Sequence, residues 1–118
     1  MGVFYYLESC DSCQRIRKIL DLPNSVLQVD IKKNPLTIEQ LDALKRIAGS
    51  YEALFSKHAQ RYKQQNLKDK NLTESDYKAL LLEHYTFLKR PVLWIESALF
   101  IGNSAQVVAA AKSFLDEK

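Results

Sequence analysis

A chain of 118 residues, 47% hydrophobic and 26% charged, has the length and composition of one globular domain with its own core, unlike a disordered chain or a small disulfide-stapled scaffold. A net charge of +3 with a pI near 8.8 falls short of a dedicated nucleic-acid binder, so no direct nucleic-acid contact is expected. No apolar run approaches the roughly 18 residues of a membrane span, and Met1-Gly2-Val3 lacks the basic start of a signal peptide, so the expectation is a cytoplasmic protein with no membrane partner.

Val3 to Leu7 is an aromatic and β-branched run too short for a helix, the pattern of a buried strand. After Cys10-Asp11-Ser12-Cys13 the residues Cys13, Ile16, Ile19 and Leu20 recur at helical spacing, with Arg15, Arg17 and Lys18 on the other side, until Pro23-Asn24 ends the helix. Val26 to Ile31 reads as a second strand, which completes a βαβ unit with parallel strands. From Asn34-Pro35 to Lys89 the pattern is helical throughout. Thr37 with Gln40 forms a capping box and Leu36 with Leu41 a staple, so a helix begins at Ile38 and stops near Gly49. Ser50 caps a further helical segment in which Tyr51, Leu54, Phe55 and His58 share a stripe; Asn66 to Asn71 is a polar connection; and Leu72-Thr73 with Asp76-Tyr77 starts a helix running through Leu80, Leu81 and His84. Arg90-Pro91 opens a strand from Val92 to Ile95, which turns through Glu96-Ser97 into Ala98 to Ile101. Ser104 caps a last helix with Val107, Val108, Ala111, Phe114 and Leu115 as its buried stripe.

The order β-α-β, helices, then β-β-α predicts an α/β protein: a thioredoxin-like fold with a four-stranded mixed sheet. It is expected as a single domain over 1–118 with a helical insertion at about 36–89. Phe4, Tyr5, Tyr6 and Trp94 are expected in the sheet core.

The only two cysteines of the chain lie where a strand runs into a helix. A thiol at a helix N-terminus meets partial positive charge and unpaired backbone N–H groups, both of which favour the thiolate. Residues three apart on a helical turn are about 5 to 6 Å apart, a separation a disulfide tolerates. Such closely spaced cysteines constrain little of the unfolded chain, so in a reducing compartment they read as redox-active or metal-binding. A metal site would need two more ligands, and His58 and His84 have no matching spacing, so no metal is expected. Arg15 is expected to lower the thiol pKa, and Asp11 to oppose that unless its carboxylate caps the helix. The basic run from Lys57 to Lys63, with Lys68 and Lys70, reads as a solvated helix face.

These residues also resemble a family. The C-x-x-C after the first strand, Asn34-Pro35-Leu36-Thr37 with Leu41 and Leu44, Gly49, Tyr51-Glu52 and Leu88-Lys89-Arg90-Pro91-Val92 are together similar to the glutaredoxin-coupled arsenate reductase family (ArsC/Spx-like), and in motif most similar to its Spx-like branch. The resemblance implies a cis Arg90-Pro91 bond beside the active cysteine, Cys10 as the reactive thiol and Cys13 as the resolving thiol of Spx-like proteins. It implies Arg90 as a catalytic group that also binds substrate together with Arg15 and Ser12, with Pro91 structural at the site. No cofactor would be bound; electrons would come from glutathione with glutaredoxin, or from thioredoxin, and the partner would be a thiol-disulfide protein or glutathione.

The chain also departs from the family. Of the three arginines that hold the oxyanion in these arsenate reductases, Arg90 matches one, and the others fall near Ser56-Lys57 and Gly102-Asn103; Gln14 stands where the family commonly has arginine. A multiply charged anion needs several charge-assisted donors, so arsenate would bind weakly. Three functions follow as expectations: a thiol-disulfide oxidoreductase; a redox-responsive regulator similar to Spx, which would bind RNA polymerase through the C-terminal domain of its α-subunit; and a glutaredoxin-dependent arsenate reductase.

Overall fold

In chain order the elements are β1 (Gly2–Tyr6), α1 (Asp11–Leu20), β2 (Val26–Asp30), α2 (Ile38–Ala48), α3 (Gln60–Gln64), α4 (Glu74–Glu83), β3 (Val92–Ile95), β4 (Ala98–Ile101) and α5 (Ala105–Asp116), with short 3-10 turns at Glu52–Leu54, Leu67–Asp69 and Tyr85–Phe87. The computed structural model describes residues 2–117. They divide into two compact units: a sheet unit, built from the chain up to Asn34 and from Arg90 onward, and a helical unit from Pro35 to Lys89.

In the sheet unit the strands lie in the order β2-β1-β3-β4. β1 runs parallel to β2, with Tyr5 opposite Val29, and antiparallel to β3, with Tyr5 opposite Val92. β3 and β4 form the expected hairpin, whose turn places Glu96 at φ 56° and lets the Trp94 indole N–H donate to the Glu96 carbonyl at 3.0 Å. β1 can lie this close to β3 because residue 2 is glycine: a Cβ there would stand 2.6 Å from the Trp94 carbonyl oxygen. This is the mixed, thioredoxin-like sheet that the sequence predicts.

Phe4, Val26, Leu93 and Ile95 on one sheet face pack with Ile16 and Leu20 of α1 and Ala111 of α5. Phe4 and Tyr5 are buried as expected, whereas Tyr6 and Trp94 are only half-buried. Ile19, expected on the apolar stripe of α1, is 42% exposed. At about 3.6 residues per turn it falls at the margin of the arc that Cys13, Ile16 and Leu20 occupy. α1 stops at Leu20 because Asp21 turns left-handed, at φ 49°.

In the helical unit, α2 begins as predicted. Thr37 Oγ1 accepts from the Gln40 N–H at 3.1 Å while Gln40 Oε1 accepts from the Thr37 N–H at 2.9 Å, and Gly49 ends the helix at φ 99°. The stretch after Ser50 differs from expectation, because it is not one helix. Tyr51 and Glu52 donate their backbone N–H groups to the Glu74 carboxylate at 2.7 and 3.1 Å, the chain makes one 3-10 turn, and Phe55 becomes extended. Phe55 then pairs antiparallel with Leu88, a bridge flanked by Ser56 N–H donating to Phe87 O at 2.7 Å and Lys89 N–H to Leu54 O at 2.8 Å. The reason is tertiary. The Phe55 ring stacks on Phe87 at 5.2 Å and meets the edges of Tyr77 and Tyr62 at 4.9 and 5.8 Å, and burying that cluster outweighs the helical propensity of residues 50–58. Among the described residues no helix is long and apolar enough to cross a membrane.

Candidate redox site

The site grows from the end of β1. The chain leaves the sheet at Leu7, turns through Glu8 and Ser9, and enters α1 with Cys10 as its N-cap, at φ −93° and ψ 114°. The Cys10 N–H donates to the Leu7 carbonyl at 3.0 Å, and the Cys10 carbonyl accepts the Gln14 N–H at 3.1 Å. Cys10 is half-buried and Cys13, one turn later, is fully buried; both are free thiols. The N-cap position normally holds a side-chain oxygen that accepts from the first turn. Here the Cys10 sulfur takes that place. It does not close a cap of full hydrogen-bond geometry, yet it lies in the field of the Cys13 backbone N–H and thiol.

Arg90 reaches the same sulfur from the other end of the chain. Because Tyr5 pairs with Val92, the residues after β1 and those before β3 meet at one end of the sheet. The Arg90-Pro91 bond is cis, Pro91 is buried, Arg90 is half-buried with its Nε shielded from solvent, and the Pro91 carbonyl accepts the Gly102 N–H at 2.9 Å.

The two thiols are driven in opposite directions. At Cys10 burial opposes the thiolate, but it is outweighed by the Cys13 N–H and thiol and by the charge and donated hydrogen bond of Arg90, so the pKa falls below that of an ordinary thiol. At Cys13 burial dominates and the neighbouring Cys10 adds to it, while the Leu7 N–H and Arg90 pull the other way; the thiol is pushed up to about 12. The pair is therefore an acidic, accessible outer sulfur and a protonated inner one.

The structure thus brings Cys10, Cys13, Arg90 and Pro91 together. Arg15 corrects an expectation: it is exposed on the outward side of α1, and the arginine charge acting on both thiols is that of Arg90. Ser12 is half-buried in the first turn, and Asp11 is exposed and does not occupy the cap, which belongs to Cys10. Of the positions set against the other two family arginines, Lys57 belongs to the helical unit and pairs with Glu52 at 2.8 Å, and Asn103 is exposed after β4. His84 caps the 3-10 turn at Tyr85–Phe87, accepting at Nδ1 from the Thr86 N–H, and His58 is exposed. Among the described residues no three His, Cys, Asp or Glu side chains converge to hold a metal ion.

Sequence reasoning missed a polar network beside the thiols. Gln14 Nε2 donates to the Glu8 carbonyl at 2.9 Å and to the Glu8 carboxylate at 3.1 Å, and its Oε1 accepts from Arg17 Nη2 at 2.7 Å. Arg17 lies 3.9 Å from the Glu8 carboxylate, donates to Gln28 Oε1 at 3.4 Å and covers the Tyr6 ring at 4.7 Å. The available signal was the i, i+3 spacing of Gln14 and Arg17.

Comparison with known proteins agrees with this fold. A model of the ArsC family matches residues 5–111. A curated relative, global transcriptional regulator Spx 2 of Bacillus cereus, is 26% identical over 105 residues, covering 86% of this chain and 79% of that protein. Among solved structures, an arsenate reductase from Vibrio cholerae is 20% identical with a TM-score of 0.76, covering 93% of this chain and 96% of its own. A possible arsenate reductase from Streptococcus mutans is 28% identical with a TM-score of 0.68, covering 84% of this chain and 87% of its own.

Proposed function

The chain belongs to the ArsC family, and within it we propose that this protein is a thiol-disulfide exchange protein in which Cys10 is the attacking thiolate and Cys13 the resolving thiol. The observation that carries the reading is the placement of the two sulfurs, Cys10 half-buried at the N-cap of α1 beside Arg90 and Cys13 fully buried one turn later, which lowers the pKa of the first and raises that of the second. The Cys10 thiolate attacks one sulfur of an oxidised partner; the partner's S–S bond breaks, one partner thiolate leaves, and a mixed disulfide forms on Cys10. The negative charge on Cys10 is then gone, and with it that charge's share of the upward push on Cys13. Cys13 releases its proton to solvent, its sulfur attacks Cys10 Sγ, the second partner thiolate leaves, and the Cys10–Cys13 disulfide remains. The partner, a protein or glutathione, gains two electrons, and glutathione with glutaredoxin, or thioredoxin, returns two to the chain.

Mass spectrometry after mild oxidation is expected to show a reversible loss of about 2 Da, two hydrogens, that is absent in Cys13→Ser. A Cys10 that stays unreactive toward alkylation at neutral pH would overturn the reading.

A second reading is favoured by the likeness to Spx 2, a global transcriptional regulator by name: the same dithiol acts as a switch in a protein that binds RNA polymerase. Capture of the C-terminal domain of the polymerase α-subunit under reducing and oxidising conditions separates it from exchange catalysis, since no binding in either state removes it. For arsenate reduction, supported by Arg90 alone of the family's three arginines, assay with glutathione and glutaredoxin is expected to give little or no turnover.

A further inference from the structure

We infer that Gln14 is a positioning residue of the dithiol: its carboxamide binds the turn between β1 and α1 to the helix and thereby holds the Cys10 sulfur over the first helical turn and within reach of Cys13. The inference rests on the exchange reading above and assigns what keeps that pair in register.

The turn has few other anchors. Glu8 and Ser9 are exposed, and the turn's two ends are fixed by the Cys10 N–H on the Leu7 carbonyl and the Gln14 N–H on the Cys10 carbonyl. Between those ends α1 holds the turn by two side chains: Gln14 Nε2 donates to Glu8 both at its carbonyl, 2.9 Å away, and at its carboxylate, 3.1 Å away, and Arg17 lies 3.9 Å from that carboxylate. The carboxamide is itself oriented, because only its oxygen can accept from Arg17 Nη2 at 2.7 Å. Arg17 is fixed in turn by Glu8, Gln28 and the Tyr6 ring, which stacks on Phe4 of the core at 5.9 Å. A continuous path therefore runs from the buried sheet through Tyr6, Arg17 and Gln14 to the turn that carries the reactive cysteine. Arginine or lysine at position 14 would face Arg17 with like charge and offer it no acceptor; leucine would fill the volume and make neither bond.

For the exchange reaction the turn matters twice. Rotation about the Ser9-Cys10 backbone moves the sulfur away from the Cys13 N–H, which weakens the thiolate. In the mixed disulfide the same rotation moves Cys10 Sγ out of line with the Cys13 sulfur, which slows closure.

The test uses the reduced full-length chain and the disulfide reagent DTNB, whose two thionitrobenzoate groups leave in succession. The first is released when Cys10 attacks and the mixed disulfide forms. The second is released when Cys13 closes the internal disulfide. With Gln14→Leu, assayed well below its melting temperature, the second release is expected to slow by about 2- to 10-fold, the factor one lost hydrogen bond represents, and the Cys10 titration followed by thiolate absorbance is expected to move to higher pH. Gln14→Met, of similar length and also neutral, makes neither bond, so it should shift both readouts the same way and provides a second variant if Gln14→Leu does not fold. Unchanged release rates and an unchanged titration in a folded variant, even with a lower melting temperature, would make Gln14 merely structural and overturn the inference. A wild-type chain that shows no second release would instead overturn the exchange reading.

Discussion

Arg90 and Cys10, from opposite ends of the chain, meet in one interaction: the guanidinium donates to the cysteine sulfur and adds positive charge beside it. Their meeting follows from strand pairing, since the antiparallel partner of Tyr5 is Val92, and Cys10 lies four residues beyond the end of β1 and Arg90 two before the start of β3, at the same end of the sheet.

Removing that guanidinium raises the Cys10 pKa. For Arg90→Ala the pH profile of iodoacetamide alkylation should shift to higher pH, with a thiolate fraction at neutral pH lower by up to about tenfold, the factor for one pKa unit. Arg90→Lys restores the charge but not the planar donor and should fall between. Because Pro91 and the strand remain, the melting temperature should change little.

Cys13 makes stability fall at alkaline pH. Its pKa rises from 9.0 to about 12 on folding, so between those values the unfolded chain has lost a proton that the native chain keeps. Fewer protons on the unfolded state mean stability that is fully present below pH 9 and is lost as pH rises toward 12, by up to about 1.4 kcal/mol per pH unit. Cys10, with a lowered pKa, acts the other way: its contribution is present above the unfolded thiol value and is lost as pH falls through its native one. Urea midpoints of the reduced chain at pH 8 and pH 10.5 should therefore separate more in wild type than in Cys13→Ala. Tyr5, Tyr51 and Tyr77, whose phenols are also raised, and Lys57 and Lys78, whose ammonium groups are raised by their partners, contribute the residual alkaline slope in both.

The aromatic cluster around Phe55 should dominate the stability of the helical unit. Phe55 is 1% exposed and touches the rings of Phe87, Tyr77 and Tyr62, so Phe55→Ala is expected to cost about 3 to 5 kcal/mol in chemical denaturation. Phe55→Leu should cost less, and neither should move the titration of Cys10.

The parts of this protein that could be read from sequence are those set by local chemistry. Thr37 with Gln40 and Thr73 with Asp76 announce their helices because each capping box is complete within four residues. Val92 to Ile95 and Ala98 to Ile101 announce a hairpin because the apolar runs are short and a turn separates them. The C-x-x-C reads as a site because strand and helix flank it. What the sequence hides depends on partners far along the chain. Residues 50–58 look helical until Leu88 and Glu74 are supplied, the first as a bridge partner for Phe55 and the second as an acceptor for Tyr51 and Glu52. Arg15 looks like the natural cation for the thiols by proximity in sequence, but helix geometry points it outward and leaves that work to Arg90. The two uses of the Gln14 carboxamide are invisible without the turn that returns Glu8 to it.

The order in which the chain is made gives the Arg90-Pro91 corner a further meaning. Both cysteines emerge from the ribosome early, on a strand and helix that lack their antiparallel neighbour, while Arg90 and β3 follow only after the whole helical unit has been synthesised. Until β3 pairs with β1, Cys10 lacks the cation that lowers its pKa. The nascent chain thus carries a Cys10 sulfur closer to ordinary acidity, and the lowered pKa of that thiol becomes a property of the finished protein.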